Sequence, residues 1–271
     1  MRVTAPGRVN LIGDHTDYTG GLVFPMAIDR YTTIDYERTG TQVSLQSDDV
    51  AGLVSFDVRD AFDATMEPSW GRYVAAIASQ MDSPVGITGR VATTIPVGAG
   101  LSSSAALELA AAVAMGNTAP PTHLALLAQR AEQMATGVPT GIMDQLCIAS
   151  AREGHGTLID CHTLEVTHVP IPDDIHIVVR FIAHRTLVGS EYAERVAQCK
   201  AAEAIIGPLR LASLQALDAI ENEVVRNRAH HVISENQRVR DFSAALSTGD
   251  YVRAGAIMID GHHSLSTRFH T

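Results

Sequence analysis

A chain of 271 residues, 46% hydrophobic and 18% charged, is long enough to bury one or two sizeable cores without disulfide staples. Its 30 acidic against 20 basic side chains give a formal charge of −10, which repels nucleic acid phosphates and anionic membrane surfaces, so neither is an expected partner. No apolar run approaches the roughly 20 residues of a membrane helix, and the opening Met1-Arg2-Val3-Thr4-Ala5-Pro6 lacks the apolar core of a secretory signal. A cytoplasmic protein is expected.

In chain order, Leu22 to Ile28, Tyr31 to Tyr36, Gln42 to Gln46 and Gly89 to Ile95 read as strands, by β-branched content or alternation. Ser69 to Met81 interrupts them as a helix. From Ser102 the texture changes to alanine-rich helices, Ser102 to Met115 and Pro121 to Ala135, each closed by a glycine or asparagine, and another helix follows Gly141. Gly156 to Asp160, Glu165 to Val169 and His176 to Arg180 read as strands, with Pro170 to Asp174 as the turn between the last two. The expected domain boundary lies there, giving domains 1–170 and 171–271. Ser190 to Thr271 is helical by pattern.

Cys147, Cys161 and Cys199 stand far apart without a C-x-x-C pair, which argues for reduced thiols and against a zinc knuckle. Lys200 is the only lysine, in a helical stretch with no glycine-rich loop before it. P-loop NTPases, protein kinases and pyridoxal enzymes each need a lysine in a defined place, so all three are excluded. Phosphate chemistry here must run on arginine, backbone amides, carboxylates and metal.

Three segments concentrate chemistry. In Gly98-Ala99-Gly100-Leu101-Ser102-Ser103-Ser104-Ala105 a glycine turn enters a helix that opens with three serines. Glycines admit an anion close to the backbone, the helix N-terminus attracts it, and a serine hydroxyl can join a magnesium shell. A plain strand-to-helix turn with a serine N-cap fits the same residues, although three serines exceed what one cap requires. Gly7 to Gly21 gathers Arg8, Asp14, His15, Asp17 and Tyr18, groups that sugar hydroxyls demand, and equally a solvated polar turn before the next strand. Ala131 to Gln145 carries Glu132 in the last turn of a helix, where an acid is unfavourable unless a cation sits nearby, and Asp144 at the start of the next helix, where a carboxylate is welcome.

Together these segments resemble the galactokinase branch of the small-molecule kinases of galactose, homoserine and mevalonate. Gly7 to Tyr18 is similar to G-R-V-N-L-I-G-E-H-T-D-Y, Gly98 to Ala105 to G-x-G-L-S-S-S-A, and Gly137 to Gln145 to G-x-P-C-G-I-M-D-Q. Ser190 to Arg195 and Glu235 to Val239 resemble two further family segments. The resemblance implies an α+β fold of two domains, a mixed sheet with helices followed by a ferredoxin-like domain that looks incomplete. It implies transfer of a phosphoryl group from ATP to the anomeric hydroxyl of galactose. Asp144 would then be the base and Arg8 the stabiliser of the transition state. Asp14, His15, Asp17, Gly141 and Tyr192 would hold the sugar, and Gly98, Ala99, Gly100, Leu101, Ser102, Ser103 and Ser104 would cradle ATP. Trp70 and Tyr73 would flank adenine, and Ser104 with Glu132 would hold Mg2+.

Asp14 stands where the family pattern has glutamate, and Thr140 where it has cysteine. A shorter acid at the sugar favours a small backbone shift, a bridging water, or a sugar bulkier at that carbon. A kinase for a uronic acid, arabinose or N-acetylgalactosamine therefore stands as an alternative, and a non-catalytic ATP and sugar sensor as another, since the family the chain resembles includes regulators that bind both without turnover. The family's third glycine-rich motif has no counterpart before Thr271. The resemblance thus leads us to expect a chain shorter than the working enzyme, monomeric, weakly active or inactive, and able to associate through an exposed sheet edge.

Overall fold

The computed structural model describes residues 1–182 and 191–270. Within them the chain packs as two compact units whose segments interleave. The first comprises residues 1–9, 27–150 and 180–182, and the second residues 10–26, 151–179 and 191–270. A division by packing is therefore not a single cut near residue 170, because β1 (Arg2–Ile12) and β2 (Leu22–Arg38) each have one end in either unit.

In the first unit, β3 (Gln42–Ser47), β4 (Leu53–Asp57) and β5 (Ile87–Thr93) join the C-terminal half of β2 in the order β4-β3-β5-β2. β3 runs parallel to β5 and the other neighbours are antiparallel, so the sheet is mixed. Alternation decides which face is buried: Thr32, Ile34 and Tyr36 of β2 and Val43 and Leu45 of β3 point inward, while Asp35 and Glu37 stay in solvent. The inward residues meet Val74 and Ile77 of α1 (Gly71–Ser79) and the alanines of α2 (Ser103–Ala114). The alanines of α2 are buried on nearly every side because α1, α3 (Pro121–Thr136) and α4 (Met143–Ser150) all pack around it, which small side chains permit.

In the second unit, β6 (His155–Asp160) pairs antiparallel with the start of β2 and with β7 (Val166–Pro170). Three helices follow: α5 (Tyr192–Ile206), α6 (Glu223–Ser247) and α7 (Tyr251–Ser264). Side chains cap two of them, since Asn222 accepts from the Val225 amide and Asp250 from the Arg253 amide. A short π-type turn, Leu265–Phe269, closes the described chain and buries Phe269.

The expected strand at His176 to Arg180 is a correction. The segment is irregular, with Val178 86% exposed, because no described strand lies beside it to accept its ladder bonds. Gly7 to Ile12 also lies inside β1, so that half of the polar segment is strand and the turn begins only after it. Ser190 lies outside the described residues. Among the described residues no helix is long and apolar enough to cross a membrane, and all three cysteines are buried with none in a disulfide.

Candidate active site

In the first unit the loop between β5 and α2 carries three left-handed residues in alternation, Gly98 (φ 77°), Gly100 (φ 72°) and Ser102 (φ 61°). Alternation of this kind turns successive amides toward one side and makes a concavity suited to anions. The loop is pinned to β1 by the Arg8 amide, which donates to the Leu101 carbonyl at 3.2 Å. A Cβ at Gly7 would lie 2.7 Å from that carbonyl oxygen, so the close approach requires glycine.

Arg8 reaches over the loop. Its Nη1 donates to the Gly100 carbonyl at 2.8 Å, while Nε (2.8 Å) and Nη2 (2.6 Å) both engage Asp144 Oδ1. Oδ2 accepts from the Ser102 hydroxyl at 2.5 Å. The plain N-cap reading of Ser102 is thus replaced: its side chain makes no cap bond to α2 and is spent on Asp144. The carboxylate is held by three donors at the start of α4, with its rotamer fixed.

Two residues on, Ser104 Oγ donates to Glu132 Oε1 at 2.8 Å. The Gln145 amide donates to Glu132 Oε2 at 3.0 Å and to Glu108 Oε2 at 3.2 Å. Glu132 is 5% exposed and Glu108 fully buried. Burial pushes both carboxyls above their usual range, Glu108 well above it, and Glu132 adds repulsion to Glu108 as Asp144 does to Glu132. Ser104 and Glu132 together offer hard oxygen donors that suit a magnesium ion completing its shell with phosphates and water. Among the described residues no three or more His, Cys, Asp or Glu side chains cluster as a complete metal cage. The Tyr73 phenol is pushed up to about 12 by burial and then by the charges of Glu132 and Glu108. Trp70 precedes α1 with a buried Nε1 that has no partner.

In the second unit the turn after β1 presents Asp14, His15 and Asp17. Asp14 Oδ1 accepts from Asn10 Nδ2 at 3.1 Å. His15 adopts a left-handed backbone (φ 63°), unusual outside glycine. Its ring stacks on Phe269 at 4.5 Å, lies 5.9 Å from Tyr192 of α5, and its Nδ1 pairs with the Tyr18 hydroxyl at 3.0 Å. Tyr18 and Tyr192 meet edge to face at 5.4 Å, and burial raises the Tyr18 phenol far above its normal range. Asp14, His15, Asp17 and Tyr192 therefore gather in one place, while Gly141 is buried in the α3–α4 connection of the first unit.

Sequence reasoning did not assign Glu108, Gln145, His231, Phe269 or the loop-holding Thr16. A single glutamate inside the apolar run Ala105 to Ala114 was the available signal for Glu108. Thr16, whose hydroxyl bridges the Gly13 and Leu22 carbonyls at 2.8 and 2.6 Å, and the other residues look ordinary in a linear reading.

The family model for the galactokinase galactose-binding signature matches residues 1–38, and that for the N-terminal domain of GHMP kinases matches residues 71–152. The galactokinase of Thermococcus kodakarensis is 37% identical, with 99% of this chain and 79% of that protein covered. The galactokinase of Roseiflexus sp. is 40% identical over 97% of this chain and 72% of that protein. The crystal structure of Lactococcus lactis galactokinase complexed with galactose aligns with a TM-score of 0.85 at 29% identity, covering 99% of this chain and 75% of that one. A mevalonate kinase structure, at 18% identity and a TM-score of 0.59, covers 98% of this chain and 79% of that one and shares the fold. Matched along nearly its whole length by relatives well above 30% identity, the chain belongs to the galactokinase family.

Proposed function

We propose that this chain transfers the terminal phosphoryl group of ATP to the anomeric hydroxyl of galactose, giving galactose 1-phosphate and ADP. The observation that carries the reading is Asp144, a carboxylate fixed by Arg8 and Ser102 beside a loop built for phosphate. The sugar O1 forms the new P–O bond as the bond from the γ-phosphorus to the β,γ-bridging oxygen breaks, and the hydroxyl proton passes to Asp144. Arg8 meets the charge on the transferring group, and the amides of Gly98 to Ser104 receive the phosphates, an arrangement of charge that a loose transition state rewards.

Asp14, His15, Asp17, Gly141 and Tyr192 hold the sugar in this reading, and Trp70 and Tyr73 bound the nucleotide. Ser104 and Glu132 hold Mg2+, which supplies charge neutralisation at the phosphates when bound. The enzyme works as a cytoplasmic monomer. A second reading follows from Asp14, whose shorter side chain is already engaged by Asn10: preference for a uronic acid, arabinose or N-acetylgalactosamine. A panel of these sugars in a coupled ADP-release assay decides. Turnover greatest with galactose supports the first reading, preference for another sugar the second, and sugar binding without ADP release from any of them refutes both in favour of a sensor.

A further inference from the structure

The buried face of α6 carries polar side chains to which the reading above gives no part. His231 is fully buried, and its two ring nitrogens are both engaged: Nε2 lies 3.0 Å from the backbone carbonyl of Asp14 and Nδ1 lies 2.9 Å from the Ser264 hydroxyl. A carbonyl can only accept, so Nε2 carries the proton and Nδ1 accepts from Ser264. One turn further on, Glu235 Oε1 accepts from the Gly13 amide at 2.9 Å and Asn236 Oδ1 from the Leu22 amide at 2.7 Å. These two fix the ends of the turn. Between them, His231 bonds to the peptide in the middle of the turn, at the Asp14 carbonyl.

We propose that His231 is a positioning residue for the sugar, setting the Asp14–His15 peptide plane and with it the direction of the two candidate sugar-binding side chains on either side. The proposal rests on the reading of Asp14 and His15 as galactose ligands. The Asp14 carbonyl and the His15 amide belong to one rigid unit, so a bond to the former orients both residues. His15 leaves that unit in a left-handed conformation that a side chain disfavours, and such strain persists only where the surroundings hold it. Among the contacts that hold it are the His231 bond to the peptide before it and the Phe269 ring, which stacks on His15 and sits 4.8 Å from the His231 ring. Burial brings His231 down to about 4, so the neutral ring that this bonding pattern needs is the form present at neutral pH.

The test compares His231→Asn and His231→Gln in the full chain, using calorimetric titration with galactose, separate titration with ATP, and steady-state kinetics, with Asp14→Ala as the check on the sugar site. Asparagine can reach Ser264 and not Asp14, whereas the glutamine amide nitrogen falls near the Nε2 position. Leaving the Asp14 carbonyl without its donor predicts galactose binding and galactose KM weakened by about 10- to 100-fold in His231→Asn. ATP affinity should stay within about 2-fold, kcat should fall far less than KM rises, and His231→Gln should recover most of the loss. Unchanged galactose binding in His231→Asn, with Asp14→Ala impaired, overturns the positioning role. Equal impairment of both His231 variants, or loss of ATP binding alongside, makes the residue a structural one and also overturns it. Full galactose affinity in Asp14→Ala refutes the sugar-site reading on which the proposal stands.

Discussion

Asp144→Asn isolates the base with little disturbance of the fold. Asparagine keeps the shape and, with its carbonyl oxygen in the Oδ1 position, still accepts from Arg8 Nε and Nη2, which now lie 2.8 and 2.6 Å away. Its amide then faces Ser102 Oγ, and that hydroxyl can turn from donor to acceptor. No buried group is stranded, in contrast to Asp144→Ala, which would take from the Arg8 guanidinium, 12% exposed in its side chain, the carboxylate that its Nε and Nη2 engage. The charge and the proton acceptor are what disappear. General base catalysis contributes about 10²- to 10⁴-fold, or roughly 3–5 kcal/mol of barrier, so kcat should fall by that amount while ATP affinity and thermal unfolding stay near the parent values. Coupled ADP release at saturating galactose and ATP measures it. Turnover within about 10-fold of the parent would show that the hydroxyl needs no base or that another group serves.

Glu132→Gln removes a charged oxygen from the pair with Ser104, and should raise the magnesium concentration for half-maximal activity by about 10-fold or more; an unchanged titration dissociates Glu132 from the metal. Glu108 has its carboxyl raised by burial and then by Glu132, so the folded state keeps its proton above the ordinary carboxylate range and loses stability as pH climbs through that window. Glu108→Gln cannot ionise, so its melting temperature should gain on the parent as pH rises from about 4.5 toward neutrality; a pH-independent difference contradicts the assignment. Gly7→Ala places a methyl 2.7 Å from the Leu101 carbonyl oxygen and should cost about 1–3 kcal/mol in chemical denaturation while raising the KM for ATP; an unaltered KM means that the loop does not depend on its seat on β1.

What could be read from the sequence was whatever its chemistry writes contiguously. Gly98 to Ser104, the Gly7 to Tyr18 segment and Asp144 are legible because a glycine-rich loop, a polar turn and a helix-start acid each need neighbours in the chain. The alternation of β2 and the alanines of α2 likewise announce their faces. Partnerships made through space are not written that way. Ser102 looks like a cap until the fold carries Asp144 to it across 42 positions. Glu108, Glu132 and Gln145 lie on three helices and become one hydrogen-bonded group only when α2, α3 and α4 pack. His231 is one of two adjacent histidines in a polar helix, and burial alone distinguishes it from His230. His176 to Arg180 misled for the same reason: a β-branched run predicts a strand, but a strand exists only against a neighbour.

The most direct measurement is phosphorus NMR of the reaction of this chain with ATP, magnesium and galactose. The account predicts a new phosphomonoester resonance split by a single proton, the anomeric one, growing in step with ADP. A resonance split by two protons, which marks the primary hydroxyl, or ADP accompanied only by inorganic phosphate, would contradict transfer to the anomeric oxygen.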